Sequence, residues 1–262
     1  MNKRGQITIF VIVGVLIVSL VFGFFFFSKE VSNDLNSVEA EEVYAFIQNC
    51  VEESAKYALV DFGDNGGSYS YVDSIYSFPY SVPVLVDGEK ELPSIEDFEN
   101  DLGLYMSENI YLCLEEMDFS NEGILVSVDD VSAKTSIGNN VILFDVSVPT
   151  TVSIEGLEGS TTFEEFSTSV EPIYIPKILD FLYWVVSQRE LYPSSICLTC
   201  LSNKMDETGF HIEMYESGVE NEFVYVVTDS KSNFFDEPYN FSFGIRYDSF
   251  VCEDLEDCIN QI

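Results

Sequence analysis

Hydrophobic positions are unevenly distributed along the chain, and the longest uncharged, predominantly apolar run comes first, at residues 7–27. Folded as an α-helix, this run would measure about 30 Å, which is the thickness of the hydrocarbon core of a bilayer. Lys3 and Arg4 precede it and acidic sequence follows it, so the positive-inside rule predicts a cytoplasmic N-terminus. The pattern predicts a basic cytoplasmic leader at 1–5, a transmembrane helix at 6–28 and an extracytoplasmic domain at 29–262.

A secretory signal peptide is the alternative interpretation of this N-terminus, because it also begins with basic residues and continues with apolar ones. Its apolar region is shorter, about 7 to 15 residues, and it ends at a cleavage site of small residues. Here the run is longer and ends in four phenylalanines at 24–27. The pattern therefore favours an anchor that is retained over a signal peptide that is removed.

Beyond the span, apolar residues recur at intervals of three and four in three places, which predicts three helices. They lie at residues 32–59, 94–117 and 176–191. Ser94 and Asp97 have the spacing of a capping box, which supports a helix that begins directly after Ser94.

Strand patterns fill much of the remaining sequence. They are found at residues 68–86, 124–131, 141–154, 161–170, 210–215, 223–228 and 239–247, with a hairpin turn predicted at 138–140. Strands and helices do not alternate as they do in parallel βαβ folds, so we predict an α+β domain with antiparallel sheets and about three helices. A subdivision of this domain is expected, if anywhere, in the turn-rich residues 155–160.

Charge narrows the classes of partner. The chain has 46 acidic residues against 11 Lys and Arg, a net charge of −35, and two of its cations belong to the leader. A surface of this sign repels nucleic acids and anionic lipid headgroups, which proteins bind through Lys and Arg. The sequence thus excludes nucleic-acid binding, while its 15% aromatic content indicates a folded domain.

The order Lys3-Arg4-Gly5-Gln6, followed at once by the apolar residues 7–14, resembles the class III signal peptide of archaeal type IV pilin-like proteins. In that family a prepilin-type peptidase cuts after the glycine and leaves the apolar helix attached. The resemblance covers about residues 1–27 and implies a cut between Gly5 and Gln6. Phe10 stands at the fifth mature position, where many bacterial pilins carry glutamate. The whole chain also looks like membrane-anchored surface proteins of small-genome archaea, a likeness that implies no activity.

The chain contains six cysteines, all in the part predicted to lie outside the cytoplasm: Cys50, Cys113, Cys197, Cys200, Cys252 and Cys258. An even number in an extracytoplasmic protein favours disulfides, and six cysteines allow about fifteen connectivities. Cys50 and Cys113 lie on the apolar stripes of their predicted helices, so we predict that they pair. The other four would then pair among themselves.

Cys197-Leu198-Thr199-Cys200 is the one motif that could carry chemistry. A Cys-x-x-Cys pair at a helix N-terminus supports disulfide exchange, but this motif follows a predicted helix and has no βαβ context. A zinc site with Cys252 and Cys258 is a further alternative, since four thiolates hold zinc. Structural disulfides are the main prediction, without a metal or cofactor.

Other candidate residues are few. His211 is the only histidine, which excludes a multi-histidine metal site within one chain, and its strand pattern predicts a solvent-facing position. Trp184 is predicted to be a core residue of the third helix. Asn240 begins the sequence Asn-Phe-Ser, an N-glycosylation sequon. No catalytic residue is assigned by the sequence.

These observations favour a single-pass cell-membrane protein with a structural, adhesive or partner-binding role at the cell surface. It would contact the membrane through its N-terminal helix, with a prepilin-type peptidase, another surface protein or further copies of itself as partners. A pilin-like filament subunit is the alternative within this class. The alternative from another class is an extracytoplasmic thiol–disulfide oxidoreductase that uses Cys197 and Cys200.

Overall fold

A computed structural model describes residues 34–69, 74–77, 80–83 and 92–248. The predicted leader and membrane span, with Gly5 and Gln6, lie outside these residues, as do Cys252 and Cys258. Among the helices that the structure describes, none is long and apolar enough to cross a membrane.

The described chain contains four α-helices: α1 (Asp34–Asp64), α2 (Ile95–Leu114), α3 (Ile175–Leu191) and α4 (Leu198–Thr208). A short 3-10 helix is present at Ser120–Glu122. The strands are β1 (Ser74–Ser77), β2 (Tyr80–Pro83), β3 (Ile124–Val128), β4 (Ser132–Ile137), β5 (Ile142–Ile154), β6 (Ser160–Val170), β7 (His211–Glu216), β8 (Glu222–Phe234) and β9 (Glu237–Arg246). The strand pairs whose register is resolved are antiparallel, which confirms the predicted α+β class.

Two elements were absent from the sequence prediction. Helix α4 has no fully buried residue, and its apolar stripe is short, with only Leu198, Leu201 and Met205, so the sequence pattern does not predict it. Strand β4 consists mainly of small and polar residues, so the pattern does not predict this strand either. The predicted turn at 138–140 is correct in position, but it joins β4 to β5: the Gly138 N–H donates to the Val141 carbonyl at 2.8 Å.

The described residues form two compact units. The first comprises 34–47, 118–128 and 150–163; the second comprises the remaining described residues. Residues 155–160, where a subdivision was expected, connect β5 to β6 inside the first unit. In that unit β3 pairs with the end of β5, from Ile124 opposite Ile154 to Val128 opposite Thr150.

The second unit holds the three-stranded sheet β7-β8-β9 and the later part of α1. Phe62 of α1 makes edge contacts with Phe98 of α2 at 5.1 Å and with Phe241 of β9 at 6.0 Å between ring centroids. All three rings are at most 1% exposed. Each such aromatic pair contributes about 1 kcal/mol beyond the burial of its area, so these rings join two helices and the sheet in one core.

The helix boundaries follow from local chemistry. The Ser94 hydroxyl accepts the Asp97 N–H at 3.2 Å, and the Asp97 carboxylate accepts the Ser94 N–H at 2.8 Å, which confirms the predicted capping box. These hydrogen bonds from Ser94 hold the pKa of Asp97 below its usual value. Helix α1 ends later than predicted, at a turn in which Gly66 and Gly67 have φ of 65° and 76°, a left-handed backbone that favours glycine.

Candidate thiol–disulfide site

Cys197 and Cys200 form a disulfide, the site disulfide, with their Cα atoms 5.2 Å apart. Cys197 is the N-cap residue of α4, and its Sγ accepts the backbone N–H of Cys200 at 3.3 Å. Both cysteines are half-buried. The sequence pattern predicts that this motif follows a helix. In the structure it also opens the next helix, because α3 ends at Leu191 and α4 begins at Leu198.

The local sequence explains this geometry. Pro193 cannot continue α3, and the Ser195 N–H donates to the Tyr192 carbonyl at 3.3 Å in a turn. The Leu201 N–H then donates to the Cys197 carbonyl at 3.0 Å, which is the first hydrogen bond of α4. At the other end the chain turns at Gly209, whose φ is 75°. Eleven residues without Gly or Pro, closed by this glycine, were the signal that could have revealed α4.

The position of Cys197 has a chemical consequence. The N-terminus of a helix presents unpaired N–H groups and a positive dipole end, which stabilise an anion. For a cysteine, the stabilised anion is the thiolate, the form that attacks disulfides. Once the site disulfide is reduced, the helix would therefore favour the nucleophilic form of Cys197.

A small cleft of about 20 Å³ lies beside the site disulfide. It has room for about one water molecule. Its lining consists of Trp184, Val185, Gln188, Ser195, Ile196, Cys197, Leu201, Tyr225 and Tyr247, none of which is acidic or basic. In a chain with 46 acidic residues, this lining leaves the sulfur of Cys197 without a carboxylate neighbour inside the cleft.

Trp184 is only partly the core residue that the sequence predicted. One face of its ring stacks on Phe181, with centroids 5.7 Å apart, but the side chain is half-buried and lines the cleft. Lys204 Nζ lies 5.9 Å from the centre of the same ring. Trp184 thus connects the apolar core to the surface beside the site disulfide.

Tyr225 and Tyr247, the tyrosine pair, close another side of the cleft, with their hydroxyl oxygens 2.6 Å apart. Burial raises the pKa of Tyr225, and the neighbouring Tyr247 raises it further. Burial also raises the pKa of Tyr247, although Tyr225 and the Arg189 guanidinium act in the opposite direction. The tyrosine pair therefore stays uncharged well into the alkaline range.

Cys50 and Cys113 form a second disulfide, the inter-helix disulfide, with Cα atoms 5.8 Å apart. It joins α1 to α2, as the shared apolar stripes of the two helices predict. Cys50 is 2% exposed, and 63 residues separate the two cysteines in sequence. The inter-helix disulfide is thus buried and closes a long loop, whereas the site disulfide is half-exposed and closes a very short one.

The remaining predicted residues do not join this site. The His211 side chain is 62% exposed on β7, as its strand pattern predicts, and its Nε2 lies 3.6 Å from Glu213. Asn240 is half-buried in β9, where its amide oxygen accepts the Thr228 hydroxyl at 2.7 Å; its glycosylation stays a prediction. The site disulfide occupies two sulfurs that a zinc site would need, and no cluster of three metal-ligating side chains occurs in the described residues.

The chain matches no protein-family model, no curated protein and no solved structure. Its function therefore has to be inferred from the chemistry of its own residues.

Proposed function

We propose that the chain is a membrane-anchored protein of the cell exterior, with a structural or partner-binding role and its N-terminus in the cytoplasm. The observation that carries the proposal is the inter-helix disulfide, because disulfides persist in oxidising compartments and are rare in the cytosol. The apolar run at residues 7–27 supplies the anchor. Together these two features support the proposal that residues 29–262 lie outside the cytoplasm.

The test of this proposal is the intact mass and the N-terminal peptide of the protein isolated from native membranes without reductant. We expect the apolar run to be retained and the inter-helix disulfide to be closed. A mature chain that begins after residue 28, or a protein found in the soluble fraction, would contradict the anchor. A start at Gln6 would establish prepilin-type processing, and a start at Met1 a simple signal anchor.

A pilin-like role is supported by the shape and burial of α1. This helix has 31 residues, about 46 Å at 1.5 Å per residue, and it begins at Asp34, a few residues after the predicted anchor at 6–28 in sequence. Its later part is fully buried in the second unit at Val51, Ala55, Leu59 and Phe62. A long first helix packed against a folded head is what the resemblance to pilin-like proteins implies.

Filament formation can be tested in the same membranes. We expect Gly5→Leu to block the cut before Gln6 and to abolish any filaments seen by negative-stain electron microscopy. Asn2→Leu is the control, because it alters the leader but not the cut bond. Filaments that persist with an uncut Gly5→Leu chain would contradict pilin-like assembly.

A second candidate function, thiol–disulfide exchange, is favoured by one observation: the site disulfide opens α4 and is half-exposed beside an uncharged cleft. Loop entropy gives a short-loop disulfide a smaller stabilising effect than a long-loop one. In the exchange, the Cys197 thiolate attacks a client disulfide and forms a mixed disulfide while the client's other sulfur leaves. Cys200 then attacks Cys197 Sγ, which releases the reduced client and re-forms the site disulfide.

Exchange with external thiols can be measured on the full-length protein in detergent, with Cys252→Ser and Cys258→Ser to isolate the site disulfide. We expect it to open in glutathione buffers that leave the inter-helix disulfide closed, and to accelerate insulin reduction by glutathione. Cys197→Ser is the control that should lose this acceleration. A site disulfide as resistant as the inter-helix one, with no effect on insulin, would contradict the activity.

A further inference from the structure

A tyrosine hydroxyl is buried without a hydrogen-bond partner at one end of the β7-β8-β9 sheet. The side chain is that of Tyr239 in β9, which is 2% exposed, and its hydroxyl oxygen has no partner among the described residues. Buried polar groups of folded proteins are nearly always hydrogen-bonded or coordinated. This hydroxyl therefore indicates a partner that is not part of the polypeptide.

Two carboxylates lie near this hydroxyl, one from the sheet and one from a helix. Asp229 of β8 is directly opposite Tyr239 in the antiparallel pairing, so the two side chains point to the same face of the sheet. A Cβ at Gly63 would lie 2.8 Å from the Tyr239 hydroxyl, and the next residue, Asp64, ends α1. Burial raises the pKa of Tyr239, and the negative charges of Asp64 and Asp229 raise it further. The hydroxyl therefore faces an acidic place where the end of α1 meets the sheet.

Asp229 carries a buried negative charge without a basic partner. It is 2% exposed and accepts the Lys231 backbone N–H at 3.0 Å and the Ser232 hydroxyl at 2.7 Å, both of which are uncharged donors. In the described part of the chain, no Lys, Arg or His forms an ion pair with it. The last turn of α1 has no basic residue either, although the C-terminus of a helix is the negative end of its dipole. Because a buried charge is stable only when it is paired or coordinated, this place favours a bound cation.

We propose that Tyr239, Asp229 and Asp64 form a calcium site that joins the end of α1 to the β8-β9 pair. All three side chains offer oxygen, the donor that hard cations prefer, and two carboxylates match the charge of Ca²⁺. Ca²⁺ takes about six to eight oxygen ligands, so backbone carbonyls and water would complete the set.

The first test is urea unfolding of the full-length protein in detergent, followed by the fluorescence of Trp184. Bound calcium is removed with a chelator, and about 1 M KCl suppresses the attraction of ions to surface carboxylates. A site with two charged ligands should bind calcium with a Kd of about 0.1–1 mM. We expect saturating Ca²⁺ to raise the urea midpoint, and Mg²⁺ to raise it less, because Mg²⁺ requires a tighter octahedral site.

Tyr239→Phe distinguishes a calcium ligand from a hydroxyl that binds only water. Without calcium, this variant should be at least as stable as the unmodified protein, because it removes an unpaired buried hydroxyl and keeps the ring. With calcium, it should lose much of the shift in the urea midpoint. Tyr105→Phe is the matched control: its hydroxyl donates to the Ser68 carbonyl at 2.9 Å, so its loss should lower stability equally with and without calcium. An unchanged calcium shift in Tyr239→Phe would overturn the assignment of this hydroxyl as a ligand.

Asp229→Asn removes the buried charge and keeps the size of the side chain. We expect the calcium Kd, measured by titration calorimetry, to rise about tenfold or more, because affinity depends on the number of charged ligands. Asp145→Asn, at an exposed position of the same unit, is the control for the loss of one surface charge and should leave the Kd unchanged. Equal Kd values for Asp229→Asn and the unmodified protein would overturn the calcium site. Stabilisation by KCl relative to choline chloride, without an effect of calcium, would overturn the assignment to a divalent ion.

Discussion

Removing the inter-helix disulfide by Cys50→Ala and Cys113→Ala lowers the free energy of unfolding by about 4 kcal/mol. The expected loss of stability follows from the 63-residue separation of the two cysteines, because a cross-link restricts the unfolded chain more strongly as the loop that it closes becomes longer. The measurement is guanidinium unfolding of the full-length protein in detergent. Fluorescence of Trp184, the single tryptophan, reports on the second unit, which contains both disulfides.

The site disulfide provides the matched control. Cys197→Ala with Cys200→Ala removes a cross-link between residues only three apart in sequence. The same dependence on loop length predicts that the free energy of unfolding falls by about 2 kcal/mol. Equal losses for the two double variants would contradict the division into a structural and an exchangeable disulfide. A smaller loss at the inter-helix disulfide than at the site disulfide would contradict it more strongly.

Gly63→Ala is the second substitution with a large expected effect, a loss of about 3 kcal/mol. Alanine favours helices over glycine in general, by about 1 kcal/mol, but here the added Cβ would overlap the Asn240 carbonyl oxygen of β9. It would also lie 2.8 Å from the hydroxyl of Tyr239, which is 2% exposed. Neither the strand backbone nor the buried ring can move away readily, and overpacking of a core costs about 1–3 kcal/mol or more.

The same unfolding measurement tests Gly63→Ala. Lys56→Ala, at an exposed position of the same helix, is the control and should change stability by about 0.5 kcal/mol or less. Stabilisation by Gly63→Ala would mean that helix propensity outweighs the contact with β9, and the packing of α1 against that strand would have to be revised.

Much of the fold could be predicted because its signals are local. The capping box at Ser94 and the apolar stripes of α1, α2 and α3 each depend on residues close together in sequence, so they can be recognised without the tertiary structure. The inter-helix disulfide could be predicted because its two cysteines lie on such apolar stripes, and cysteines on two buried helix faces can meet in the core. Helix α4 has only a short apolar stripe and strand β4 consists mainly of small and polar residues, so their local signals are too weak to predict either element.

The candidate site could be predicted only in part, because it is assembled from distant segments. The Cys-x-x-Cys motif is visible in sequence, but its place at a helix N-terminus depends on α4. Tyr225 and Tyr247 are separated by 22 residues, and they meet Trp184 only through packing of α3 on the sheet. No local pattern distinguishes a tryptophan beside a cleft from one wholly inside the core.

The uncharged tyrosine pair has a consequence for how the cleft responds to pH. An unperturbed cysteine thiol ionises near pH 8.5 and an unperturbed tyrosine near pH 10. Burial moves the pKa of both phenols upward, away from the range in which a thiol titrates. Among the cleft-lining side chains, a reduced Cys197 would therefore be the only one to change its charge as the solution passes from neutral to mildly alkaline. Although the protein as a whole is strongly acidic, the lining of this cleft would change its charge in that pH range through the Cys197 sulfur alone.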